Sequence, residues 1–293
     1  RPPPGRRDGD PMRILITGAS GLLGSKVAER ALARGHEVFS AYKTHTPHQG
    51  KPVPLDLTDE TAIRKTVREV RPEVIINNAA LTDVEHCEAT PDLATLINST
   101  SVKYLANAAA ETNCFLIQVS TDYVFDGEKG EYSESDKPHP INKYGLSKLE
   151  GERAAMAVGE DNWCVARTSV VYGWGRPHRP NAATYVIDKL SKGEKILMVR
   201  DQFSSPTLNT NLANMLVEIA QRRILGTIHV SGATRMNRYD FAIALAHAFG
   251  LERELVKPVE ATSQNWKAKR PRDSSLDVGK AMRLLENKPL SVD

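Results

Sequence analysis

A chain of 293 residues is long enough for one large or two modest domains with a substantial core. Its 40% hydrophobic and 26% charged content is that of a soluble globular protein, and a net charge of +3 without a Lys/Arg tract argues against nucleic acid as a partner. No apolar run approaches the length of a membrane span, and three scattered cysteines (Cys87, Cys114, Cys164) without CxxC spacing read as free thiols in a reducing cytoplasm.

Arg1 to Pro11 is rich in Pro, Gly and charge and lacks an apolar signal region, so it reads as a disordered extension ahead of Met12. From Ile14 a short apolar strand runs into Gly18-Ala-Ser20-Gly21-Leu22-Leu23-Gly24 and then a helix. Gly18 allows the tight turn, Gly21 lets a pyrophosphate approach the backbone, and Gly24 lets helix and strand pack closely. The free N–H groups at the helix start face the anion. The GxxGxxG spacing alone also fits a βα turn without a ligand.

Glu37 to Tyr42 reads as the second strand. An acid at its end would favour NAD and a base the 2′-phosphate of NADP; Tyr42 and Lys43 stand there, which leans towards NADP or towards indifference between the two. Lys43 as a solvated loop charge is the plainer alternative. Val53 to Leu57 is a third strand, with Asp56 placed to meet the adenine amino group beside Leu57, and a helix capped by Thr58 or Asp59 runs to Arg71. Val74 to Ala80 is a buried strand whose end, Asn78-Ala79-Ala80, leaves room for a cofactor backbone. A helix then covers Pro91 to Thr112.

Phe115 to Phe125 is the fifth strand, and its polar residues Ser120, Thr121 and Asp122 gather at the carboxyl end, where ligands bind in open parallel sheets. A loop leads to a helix over Asn142 to Ala157, and Trp163 to Tyr172 is the sixth strand. This alternation argues for an α/β fold with a doubly wound parallel sheet. Helices over Ala182 to Lys192, Leu212 to Arg222, Tyr239 to Phe249 and Val278 to Leu285 follow, with a strand at Gly226 to Gly232.

Tyr144 and Lys148 are four residues apart and share a helix face. An ammonium there stabilises phenolate, so the tyrosine can exchange a proton with an alkoxide, and Thr121 can polarise the same carbonyl. Together with the glycines and Asn77-Asn-Ala-Ala80, this set resembles the extended short-chain dehydrogenase/reductase family. Ser120-Thr-Asp-Tyr-Val-Phe-Asp-Gly127, Pro140-Ile-Asn-Lys-Tyr144, Arg167-Thr-Ser-Val-Val-Tyr-Gly173, Asp201-Gln-Phe-Ser-Ser-Pro-Thr207 and Arg270-Pro-Arg-Asp-Ser274 are similar to its dTDP-4-dehydrorhamnose reductase branch, over essentially all of Met12 to Asp293.

That resemblance implies a Rossmann domain over 12–172 with a later contribution from about 208–230, and a smaller substrate-binding lobe over 173–207 and 231–293. It implies hydride delivery from NADPH or NADH to the C4 ketone of dTDP-4-dehydro-L-rhamnose, with Thr121, Tyr144 and Lys148 catalytic and Asn98, Val119 and Arg167 joining the cofactor residues. Asp122, Tyr123, Val124, Gln202 and Thr207 fall to the substrate. Its diphosphate would need guanidiniums from among Arg176, Arg179, Arg270 and Arg272, the others being loop charges. No metal site is indicated, and a homodimer is compatible.

The chain departs from the branch at Ser204, where glycine is usual, and at Arg238, where a small hydroxyl or an aromatic pair is commoner. Two rivals stand beside the reductase. The regulatory β subunit of methionine adenosyltransferase resembles the same branch, binds NADP and serves a catalytic partner. A sugar-nucleotide epimerase or dehydratase is the other, although a dehydratase wants an Asp-Glu pair where this chain has Asp122-Tyr123.

Overall fold

The computed structural model describes residues 10–175 and 180–292; the extension read as disordered lies outside them up to residue 9. The first half alternates strand and helix: β1 (Arg13–Thr17), α1 (Gly24–Ala33), β2 (Glu37–Tyr42), β3 (Lys51–Pro54), α2 (Glu60–Val70), β4 (Val74–Asn77), α3 (Val84–Ala89), α4 (Pro91–Thr95), α5 (Ser101–Thr112), β5 (Phe115–Thr121), α6 (Lys143–Met156) and β6 (Trp163–Thr168). A π-helical turn over Leu96–Thr100 joins α4 to α5. Beyond them come β7 (Val171–Tyr172), α7 (Ala182–Ser191), β8 (Ile196–Val199), β9 (Phe203–Ser204), β10 (Thr207–Leu208), α8 (Asn209–Arg222), β11 (Gly226–His229), β12 (Met236–Asn237), α9 (Arg238–Ala248), β13 (Val256–Val259) and α10 (Gly279–Leu284).

The main sheet has seven strands in the order β11-β6-β5-β4-β1-β2-β3, all paired in parallel. The order reverses between β1 and β4, which opens a crevice outside the carboxyl ends of the strands. Alternation along each strand feeds two cores. Ile14, Ile16 and Ile76 pack against Val27 and Ala31 of α1 and Leu212 and Leu216 of α8. On the other face Leu15, Ile75 and Leu116 meet Ile63 and Val67 of α2 and Leu105 and Ala109 of α5. A separate core of Val186, Leu190, Ile196, Phe241, Leu245 and Val256 ties α7 and α9 to the β8–β13 pair.

Several elements end sooner than their apolar runs. β5 stops at Thr121 rather than Phe125, because the Thr121 side chain accepts from the Tyr123 N–H at 3.2 Å and caps a 3-10 turn over Asp122–Val124. The expected sixth strand breaks between β6 and β7 at Val170, a β-branched residue at φ +36°, a costly conformation for that side chain. The third strand lies earlier than expected, so Asp56 sits in a turn and accepts from the Thr58 N–H at 3.0 Å.

Candidate active site

A cleft of about 820 Å³ lies at the switch point. One wall is the glycine turn. Gly18 adopts φ +61°, and a Cβ there would come within 3.0 Å of the Ala79 backbone. A Cβ on Gly24 would come within 2.2 Å of the Gly18 carbonyl oxygen, so only glycine lets α1 start against the end of β1. Gly21 donates its N–H to the Gly18 carbonyl at 3.0 Å. Ser20, Leu22, Leu23, Ala79 and Ala80 line the same wall with Asn78. This turn, closed to a Cβ at Gly18 and Gly24 and set at a helix start, fits the pyrophosphate of a dinucleotide.

Tyr42, Lys43, Asp56 and Leu57 line one end of the cleft, with Thr44, His45 and Thr58, which sequence reasoning missed. Lys43 and Asp56, expected to meet phosphate and adenine separately, are paired at 2.7 Å. The Lys43 ammonium and the Thr58 N–H hold the Asp56 carboxyl below the usual carboxylate range.

Elsewhere in the cleft, Thr121, Asp122, Tyr123, Tyr144 and Lys148 converge with Val119. Asn142 caps α6 by accepting from the Gly145 N–H at 2.8 Å. A Cβ on Gly145 would stand 2.1 Å from the Tyr123 carbonyl oxygen, so glycine lets the end of β5 press onto α6. That approach sets the Thr121 hydroxyl near the Tyr144 phenol in the cleft wall and the Tyr123 and Tyr144 rings edge to face, centroids 5.8 Å apart. Lys148 is buried and donates to the Val119 carbonyl at 2.7 Å. Burial lowers its pKa to about 8, against the upward pull of Glu152 and Cys87. Burial likewise pushes the Tyr144 phenol above its ordinary value, opposed by the Thr121 hydrogen bond. Burial, not the Lys148 ammonium, therefore governs Tyr144 in this arrangement.

Asp122 lines the cleft but faces inward chemically. It accepts from Ser169 Oγ at 2.8 Å, Ser274 Oγ at 2.5 Å and Thr121 Oγ1 at 3.0 Å, tying β5 to the C-terminal loop. Burial raises its pKa against those three hydrogen bonds.

Other expected site residues do not line the cleft. Arg167 is buried in a two-pronged ion pair with Glu152, Nε to Oε1 at 2.9 Å and Nη2 to Oε2 at 2.7 Å, with its guanidinium over the Phe125 ring. This corrects its assignment to the cofactor: both prongs of its fork are spent inside the fold. Asn98 is buried too, bonding both backbone groups of Leu81 and Ser147 Oγ. Val124 lies in a core with Phe125 and Tyr132, and Thr207 bonds Ser205 and Gly232. Gln202 is buried outside the cleft wall. Of the four candidate arginines, Arg270 lines the cleft, Arg272 is exposed outside its wall, and Arg176 and Arg179 lie outside the described residues. Arg238 also lines the cleft; its departure from the branch pattern was the one signal that could have pointed to it. Among the described residues no His/Cys/Asp/Glu cluster could hold a metal ion, and no helix is long and apolar enough to cross a membrane.

The sheet order, the glycine turn and the Thr–Tyr–Lys convergence define a Rossmann-type fold of the extended short-chain dehydrogenase/reductase class. Residues 12–291 match the RmlD substrate binding domain, and the chain belongs to that family. It is similar to a solved structure of a hypothetical dTDP-4-dehydrorhamnose reductase from Sulfolobus tokodaii, 38% identical, with TM-score 0.87 over 96% of this chain and 98% of that one. It is also similar to dTDP-4-dehydrorhamnose reductase from Bacillus anthracis in complex with NADP, 30% identical, TM-score 0.86, covering 97% and 96%. Methionine adenosyltransferase 2 subunit beta of Rattus norvegicus is 35% identical over 277 residues, 92% of this chain and 81% of the relative.

Proposed function

We propose that this chain reduces the C4 ketone of a nucleotide-linked deoxysugar, taking dTDP-4-dehydro-L-rhamnose to dTDP-L-rhamnose, with NADPH preferred over NADH. It is an NAD(P)-dependent oxidoreductase of a dTDP-4-dehydrorhamnose reductase-like family. The observation that carries the reductive reading is the convergence of Thr121, Tyr144 and buried Lys148 on the cleft that the glycine turn also lines.

The glycine turn, Asn78 and Ala79 would hold the dinucleotide, with Tyr42 and Lys43 towards its adenosine end. When bound, the nicotinamide supplies the hydride. Burial keeps the Tyr144 phenol protonated, the form a reduction needs, and its O–H can pass that proton to the ketone oxygen as carbon accepts the hydride. Thr121 Oγ1, which donates to Asp122 Oδ1 at 3.0 Å, would serve as a second donor to that oxygen by turning its one proton from Asp122 to the bound ketone, where developing charge is best stabilised. Lys148 is cationic at neutral pH, anchored by the Val119 carbonyl, and compensates the phenolate left behind.

The test is NADPH oxidation, followed by absorbance, with a panel of nucleotide sugars. Turnover is expected with dTDP-4-dehydro-6-deoxyhexose; its absence with folded, NADPH-binding protein overturns the reading. The rat relative supports a second reading, a non-catalytic NADP-binding subunit of a methionine adenosyltransferase. Stable copurification with that enzyme, together with no turnover, would favour it.

A further inference from the structure

The glycine turn is held from behind by a residue far along the chain. Asn209 opens α8, whose N-cap, Leu208, makes no side-chain hydrogen bond, yet the Asn209 amide is spent elsewhere. That side chain is fully buried, and its Nδ2 donates to the Trp174 carbonyl at 2.9 Å and to the Leu22 carbonyl at 3.2 Å. Its Oδ1 is buried with no hydrogen-bond partner among the described residues. Gly173 makes room for that oxygen: a Cβ there would stand 2.3 Å from Asn209 Oδ1, and a φ of +134° suits glycine. A leucine of similar size in place of Asn209 would remove the unpaired oxygen but strand both carbonyls.

The Leu22 bond matters because of what shares its peptide. The Leu22 carbonyl and the Leu23 N–H belong to one planar trans unit and point in opposite directions, so fixing the oxygen aims the N–H. Leu23 is the N-cap of α1, makes no side-chain cap, and its N–H donates to no described residue. Leu22 and Leu23 both line the cleft. An open N–H at a helix start is the kind of donor that a phosphate takes. On its other side the amide holds the chain just past β7, and Gly175 lies against Leu22, where a Cβ on it would come 3.2 Å from Leu22 Cδ1. The turn is therefore backed by residues from the C-terminal half of the chain as well as by β1 and α1.

We propose that Asn209 is a positioning residue of the dinucleotide site: by anchoring the Leu22 carbonyl it presents the Leu23 N–H to the pyrophosphate, and Gly173 gives its amide the room to do so. The proposal rests on a dinucleotide at the glycine turn and not on which sugar is reduced.

The probes are NADPH, which carries a pyrophosphate, and adenosine 2′-monophosphate, which does not, each titrated calorimetrically into the full chain. Asn209→Leu should weaken NADPH about tenfold and leave adenosine 2′-monophosphate within about twofold. Asn209→Asp keeps the shape without the two donors and should lose at least as much. Gly173→Ala, whose Cβ displaces the amide, should reproduce the loss, and combining it with Asn209→Leu should lose no more than either alone. Where leucine does not fold, Asn209→Ala carries the same expectation. A folded variant that binds NADPH as wild type does overturns the proposal, as does an equal loss for both ligands; additive losses overturn the part given to Gly173. The two readings fail separately. An NADPH-specific loss in Asn209→Leu, with no sugar reduced by wild type, sinks the reductase alone, and wild-type turnover with unchanged NADPH affinity in the variants sinks the role of Asn209 alone.

Discussion

Glu152→Gln separates a structural role for Arg167 from a cofactor role. The substitution keeps the shape of the side chain and removes its charge, leaving the Arg167 cation, 3% exposed, without its counter-ion. The pair is dry on both sides, with side-chain exposures of 4% and 0%, so solvent screening does not soften the loss. Arg167 Nη1 is already buried without a partner, and the glutamate also accepts from Ser120 Oγ at 2.5 Å. Breaking one side of such a pair costs about 3–5 kcal/mol. For 293 residues the unfolding entropy near the midpoint is roughly 0.6 kcal/mol per degree, so Tm should fall by about 5–8 °C. Replacing both residues by apolar ones (Glu152→Leu with Arg167→Met) should recover most of that stability. Scanning calorimetry reads the melting temperatures, and NADPH titration at a temperature where both proteins are folded reads the site. NADPH affinity should stay within about twofold of wild type, since Arg167 does not line the cleft. A mutant that melts with wild type, or one that stays folded but loses NADPH tenfold, refutes the reasoning.

Three further outcomes follow from the same geometry. Tyr144→Phe should lower kcat by about 10²–10⁴-fold with little change in NADPH affinity, because it removes the proton and keeps the ring; stopped-flow turnover and a binding titration check it, and normal turnover would remove Tyr144 from the acid role. Lys43→Ala breaks the contact with Asp56 and should weaken NADPH about tenfold while sparing NADH, as fluorescence titrations of the two cofactors would show; equal effects would make Lys43 a bystander. Lys148 should impose a high-pH limb: its ammonium is present below about pH 8 and lost above it, so kcat/KM for reduction falls as pH rises through that value. Glu152 raises that pKa, so in Glu152→Gln the limb should move to lower pH, and a pH–rate profile that stays in place would contradict the coupling.

Features carried by local pattern were legible in the sequence. Three glycines between a strand and a helix, an apolar strand ending in small residues, and a tyrosine and lysine one turn apart each depend on neighbours close in the chain. Features made by distant partners were not. The family resemblance gives Arg167 to the cofactor, and nothing local shows that Glu152 of α6 occupies its fork. Lys43 and Asp56 close the ends of β2 and β3 over one another, a contact that strand periodicity does not encode. The Phe115–Phe125 run turns apolar again at Tyr123 to Phe125 and so reads as one strand, but one hydroxyl accepting one backbone N–H turns the chain at Thr121. Gly145 stands in the first turn of α6 with nothing local to mark it, and only the Tyr123 carbonyl pressed against it shows why a side chain is excluded. The strands β7, β9, β10 and β12 are two residues each, too short for any alternation to register.

The most direct test of the central claim is isotope transfer from NADPH deuterated at C4 of the nicotinamide, run to completion with dTDP-4-dehydro-6-deoxyhexose and read by NMR of the sugar product. Hydride delivery to the ketone carbon predicts one deuterium at sugar C4, from one face of the nicotinamide only, and none elsewhere on the ring. A sugar recovered without deuterium, or with the label at another carbon, would contradict it.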